Sequence, residues 1–186
     1  MDNHFSNGGK KISWVQLSFL LCIIVLTVCI LITLSDAGTL LSTSAHTIGI
    51  PLLAVGAVTM IIAAVKKSTL KGRMWLSADG AATAVLSVVL ILSGFKQAGA
   101  LPFYFGVWEI AIGIFKLAES RRLKREKVSG EGFLYIGIAE IISGTALLLR
   151  PVDRLIGYNI AVVITLAIQM SAYALRYYLY PAMTEE

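Results

Sequence analysis

The chain has 186 residues, of which 57% are hydrophobic and only 15% charged, and its mean hydropathy is +0.80. A soluble domain carries roughly 25% charge, so a water-soluble globule is excluded. The net charge of +5 is no nucleic-acid signature either, because the basic residues stand at the ends of long apolar runs, where they anchor and orient membrane segments.

A helical span needs roughly 20 mostly apolar residues to cross the hydrocarbon. Six such runs follow one another. An N-terminal tail, 1–11, carries Lys10 and Lys11. The first run, Ile12 to Leu34, is free of charge and longer than the roughly 7–15 residues of a signal-peptide core, so it is expected to be a retained span. It holds both cysteines, Cys22 and Cys29, which read as small apolar residues on one helix face. After a polar turn around Asp36 and Gly38, the second span runs through Pro51 to Val65 and closes on Lys66, Lys67, Lys71 and Arg73. The third is expected from Trp75 to Phe95, with Asp79 near its start, and the fourth from Leu101 to Ala118. A basic loop follows with Arg121, Arg122, Lys124, Arg125 and Lys127. The fifth runs from Gly132 to Leu149 and stops at Arg150-Pro151, since proline cannot continue the helix ladder. The sixth covers Leu155 to Leu175, and 179–186 forms a C-terminal tail. Helices are expected rather than barrel strands, because the runs are twice a strand's length and apolar on all sides.

The loops set the orientation. Of the 16 Lys and Arg residues, Lys96, Arg150 and Arg154 fall on one side; all others, with Lys116 and Arg176 counted among them, fall on the side of the N-terminus. That bias predicts both termini in the cytoplasm. Trp14, Trp75, Tyr177, Tyr178 and Tyr180 are placed at the inner interface by the same frame. The fold class is therefore an all-α integral membrane bundle of six helices. It divides into three outward-pointing hairpins, 12–65, 75–118 and 131–178, in a single membrane domain.

Small residues repeat within that frame. The series Gly80, Ser87, Gly94 and Gly130, Gly137, Gly144 step by seven, as do the pairs Gly49, Gly56 and Gly106, Gly113. A step of seven returns to nearly the same helix face, and small stripes let membrane helices approach closely where lipid supplies no hydrophobic drive. Their expected role is packing.

Two carboxylates, Glu109 and Glu140, lie midway along the fourth and fifth spans. A charge at the bilayer centre costs about 2.5–3.5 kcal/mol on insertion scales, which marks such residues for function. Two readings fit them: a proton-responsive pair or path, and a plainer one in which they hydrogen-bond neighbouring helices together. Lys116 lies on the face of Glu109, and Asn159, Thr165 and Gln169 are in reach as partners from the sixth span. His46 reads as an interface residue. The Arg121–Lys127 cluster serves topology in the simpler reading and contacts anionic lipid in the other. No Cys/His cluster, phosphate-binding loop or nucleophile motif is present, so no metal, cofactor, nucleic acid or enzymatic chemistry is expected. The expected partner is the bilayer; nothing in the sequence argues for or against a homo-oligomer.

The three hairpins, the glycine step and the Arg150-Pro151 stop together resemble the HdeD-like acid-resistance membrane proteins. The stretches that carry the resemblance are Gly132 to Pro151 and Phe105 to Lys116, within Trp75 to Tyr178; the first hairpin matches only in pattern. The sixth span departs from it, with Ile164 where the second glycine would stand, seven after Gly157. The resemblance implies a bacterial inner-membrane protein of acid or general stress tolerance, with no functional residues to carry over.

Overall fold

The computed structural model describes residues 13–35, 42–66, 70–92, 101–149 and 158–184. Six helices make up those residues: α1 (Trp14–Ser35), α2 (Ser42–Val65), α3 (Arg73–Leu92), α4 (Leu101–Arg125), α5 (Glu131–Leu148) and α6 (Tyr158–Met183). There is no strand among them, only an isolated antiparallel bridge, Leu70 to Thr184. With Lys71 N–H donating to Met183 O at 2.8 Å, it ties the α2–α3 connection to the end of α6. Five helices are long and apolar enough to cross a membrane; α4, of similar length, carries Glu109, Lys116 and Glu119 and is the exception.

The bundle is apolar outside and polar inside. Leu17, Leu21, Ile24 and Leu31 of α1 are exposed, as are Val85 of α3 and Ile142 of α5. Asp79, Glu109, Lys116, Glu119, Glu140 and Arg176 are all buried. A soluble protein hides charged side chains only rarely, whereas a helix bundle in lipid turns them inward.

The six helices touch in a closed cycle, each meeting its two sequence neighbours, and α1 meeting α6. Close and loose contacts alternate around it: α2 with α3, α4 with α5 and α1 with α6 are close; α1 with α2, α3 with α4 and α5 with α6 are loose. The closest pairs thus cross between the sequence-defined hairpins rather than within them. The reason lies in the small residues. A Cβ on Gly56 would stand 2.8 Å from Gly80 O, and one on Gly80 2.9 Å from Gly56 O. Gly113 and Gly137 face each other in the same way at 2.7 and 2.8 Å, and Gly106 and Gly144 at 2.8 and 2.6 Å. Gly49 packs on Ser87 and Leu90, and Gly130 on the backbone of Ser120. The α1–α6 pair has no such glycine contact, and Ile164 faces outward. Gly94 lies outside the described residues, with Asp36, Lys96, Arg150, Asp153, Arg154 and Gly157; so do the side chains of His46 and Asn159.

Two helix ends differ from expectation. α4 does not stop at Ala118 but continues to Arg125, so Arg121, Arg122, Lys124 and Arg125 are helical rather than in a loop. These are good helix formers, and Arg122 pairs with Glu126 one turn on at 2.8 Å. The helix ends in a Schellman motif: Lys127 takes φ 58, Val128 N–H bonds Leu123 O at 2.9 Å, and Lys127 N–H bonds Lys124 O at 3.2 Å. Buried Val128 and Leu123 supply the accompanying apolar contact. Likewise α6 runs on past Leu175 to Met183, and Tyr180, expected at the interface, is buried.

The glycine contacts predict a position-dependent cost. Gly144→Ala and Gly113→Ala drive a methyl against facing backbone and should each cost about 1–3 kcal/mol by overpacking. Gly132→Ala meets only the flexible end of Leu175 and should be nearly neutral. Thermal unfolding of the three variants in one detergent checks the order.

Candidate functional site: a buried charge cluster

The buried faces of α3, α4, α5 and α6 converge, and each contributes charged or amide side chains by helical spacing. On α4, Glu109, Ile112, Lys116, Glu119 and Leu123 recur every three or four residues and are all buried. On α6 the same spacing aligns Gln169, Tyr173, Arg176 and Tyr180, all buried. α3 adds Asp79, and α5 adds Glu140 between Gly137 and Gly144.

The contacts form one chain. Lys116 Nζ donates to Glu140 Oε1 and to Gln169 Oε1. Gln169 Nε2 donates to Asp79 Oδ1 at 3.0 Å. Arg176 then donates through Nη1 to Asp79 Oδ2 at 2.5 Å and through Nη2 to Glu119 Oε2 at 2.7 Å. Its guanidinium lies 5.6 Å from the ring centroids of both Phe133 and Tyr173, within cation–π range. The Tyr173 hydroxyl is 2.9 Å from Thr59 Oγ1; because that Oγ1 already donates to Val55 O at 2.7 Å, Tyr173 is the donor. The cluster is thereby tied to α2 as well.

Four carboxyl groups share this core with two cations. Glu109 is buried, yet its Oε2 has no hydrogen-bond partner among the described residues. Its Cβ packs against Gly144, one turn beyond Glu140 on α5. Glu140 Oε2 and Glu119 Oε1 also lack hydrogen-bond partners, as does Arg176 Nε. Such buried polar groups are costly unless neutralised or bonded. Glu119 reaches the end of the bundle, where its carboxyl lies beside Gly72, whose φ of +75 is a glycine conformation.

The two carboxylates singled out from sequence are thus both in the core, and Lys116 links Glu140, not Glu109, to the rest. Gln169 bonds Lys116 and Asp79 rather than either Glu, and Thr165 bonds only Val162 O, at 2.8 Å. Lys116 and Arg176, counted from sequence with the loop charges, are corrected to core residues; their acidic partners hold them inside. Glu119 was missed, although its step of three from Lys116 places it on the same α4 face. Asp79, placed by sequence near the start of the third span without a role, heads a polar face that continues through Thr83 and Ser87. Among the described residues no group of three or more His, Cys, Asp and Glu is placed to hold a metal ion. Cys22 and Cys29 are free and buried.

A scan against protein-family models finds no matching family, and searches of curated proteins and of solved structures find no significant match.

Arg176 is the centre of this arrangement. Arg176→Met strands Asp79 and Glu119 and should cost about 3–5 kcal/mol, the usual penalty for breaking a buried pair from one side. Adding Asp79→Asn and Glu119→Gln removes the stranded charges and should recover much of that loss in thermal unfolding. A variant set in which the triple is no better than the single would show that shape, not charge balance, governs the site.

Proposed function

We propose that this protein is a six-span membrane protein with both termini on the cytoplasmic face of a bacterial inner membrane. Its buried charge cluster takes up and releases protons, and it contributes to acid or general stress tolerance without enzymatic chemistry. The observation that carries this reading is the excess of buried carboxyl groups among the described residues, four against two cations, with Glu109 Oε2 lacking a hydrogen-bond partner there. A low-dielectric core does not hold two uncompensated negative charges cheaply, and protons are the smallest species that balance them. Proton occupancy then follows the pH on whichever side the cluster meets water, and it alters the contacts that join α3, α4, α5 and α6.

The reading of α4 as the remaining span rests on its position between α3 and α5, with Glu109, Lys116 and Glu119 turned inward. The orientation rests on the loop charges, whose bias survives the removal of Lys116 and Arg176 from the count. The link to acid or general stress rests on the resemblance to HdeD-like proteins. A second reading, a small proton-linked transporter or channel, is favoured by one feature: the chain of bonded side chains runs from Glu140 through Lys116, Gln169, Asp79 and Arg176 to Glu119, beside Gly72 at the bundle's end.

Acid survival of a deletion strain separates these roles from a structural one. Wild type should restore survival, and Glu109→Gln/Glu140→Gln at matched membrane expression should not. Equal rescue by both would make the pair structural. Proton flux in proteoliposomes, present in wild type and lost in the double variant, would favour the transporter.

A further inference from the structure

The charge cluster leaves the exposed basic end of α4 unexplained. Arg121, Arg122 and Arg125 line one side of a groove between α3 and α4. The same α4 face continues along the helix as Ala118, Leu117 and Ile114, with Trp75 of α3 opposite. These positions follow helical spacing, so one stripe changes from basic to apolar along its length. A second, almost wholly apolar groove lies further along the same α3–α4 seam, lined by Ala111 and Val107 of α4 and Val85 and Ala82 of α3. This seam is one of the loose contacts of the cycle. Lys124 and Lys127, equally basic and equally close in sequence, line neither groove.

We propose that the α3–α4 seam is a binding site for one anionic phospholipid, its phosphate held by Arg121, Arg122 and Arg125 and an acyl chain laid along the apolar stripe. Charge complementarity decides the occupant. Arg122 is paired with Glu126, which also lines the groove; Arg121 and Arg125 have no ion pair among the described residues. Guanidinium groups bind phosphate through paired N–H donors. A second copy of this chain would bring the same arginines and repel. A soluble acidic protein has no means to fill the apolar half, whose residues Ile114, Val107 and Val85 are exposed on the lipid-facing side of the helices. A phospholipid supplies both chemistries in the required order, head group at the helix end and chain toward the helix middle.

The test uses the full chain, extracted from vesicles of phosphatidylcholine with a minor share of phosphatidylglycerol, with the retained lipids quantified by mass spectrometry. Wild type should retain phosphatidylglycerol above its share in the vesicle. Arg121→Gln/Arg122→Gln/Arg125→Gln should weaken binding about a hundredfold, given the contribution of each near-surface charge, and return the retained lipid to its share in the vesicle. Lys124→Gln/Lys127→Gln should keep the enrichment. Because losing three arginines can disturb insertion, Ala118→Phe is the second variant: it fills the groove, changes no charge and should also abolish enrichment. Three results overturn the proposal: equal loss in the lysine variant, which means diffuse charge; full retention in Ala118→Phe, which means no groove binding; and displacement of the lipid by millimolar inorganic phosphate, which means a free-anion site.

Discussion

Arg176 has its guanidinium between the carboxylates of Asp79 and Glu119, flanked by the rings of Phe133 and Tyr173, and is almost wholly buried. A cation in that position constrains everything around it. It requires α3 and α4 to present their acids at one level of the bundle. It requires Gln169 to complete Asp79, and through Gln169 it connects to Lys116 and Glu140. Breaking any link exposes a charge to a low dielectric, where the penalty is several kcal/mol. The helices are therefore held in relative register by electrostatics, while contact distance is set elsewhere.

Contact distance belongs to the glycines. Gly56 against Gly80, Gly106 against Gly144 and Gly113 against Gly137 bring backbones together until an added methyl would collide. Close approach gives dispersion energy that lipid-exposed side chains cannot provide between helices. The glycines act on α2 with α3 and on α4 with α5, and the charges act across α3, α4, α5 and α6. The loose α3–α4 seam is where the two devices divide: no glycine pair closes it, but Asp79, Arg176 and Glu119 bridge its inner side. Its outer side holds two grooves, one apolar and one lined by arginines.

The cluster and the groove share α4 but use opposite faces. Glu109, Lys116 and Glu119 look into the bundle, while Ile114, Ala118 and Arg121 look toward α3 and the surroundings. This explains why α4 is the least apolar of the six helices. The proposed lipid site would lie beside the helix that carries three members of the charge cluster.

The helices and their apolar exteriors were legible in the sequence, because hydrocarbon leaves a long apolar run no alternative to a helix with its backbone bonded internally. The seven-residue glycine steps also marked packing faces, since helical periodicity is a local property. Sequence did not decide which helices those faces would join, nor where Lys116 and Arg176 would go. A cation near the end of an apolar run is written the same way whether it snorkels to the interface or turns inward. Only the arrival of Glu140, Gln169, Asp79 and Glu119 from other helices makes the inward choice favourable. That depends on partners distant in the chain: Arg176 and Asp79 stand 97 residues apart and meet only once the bundle has closed.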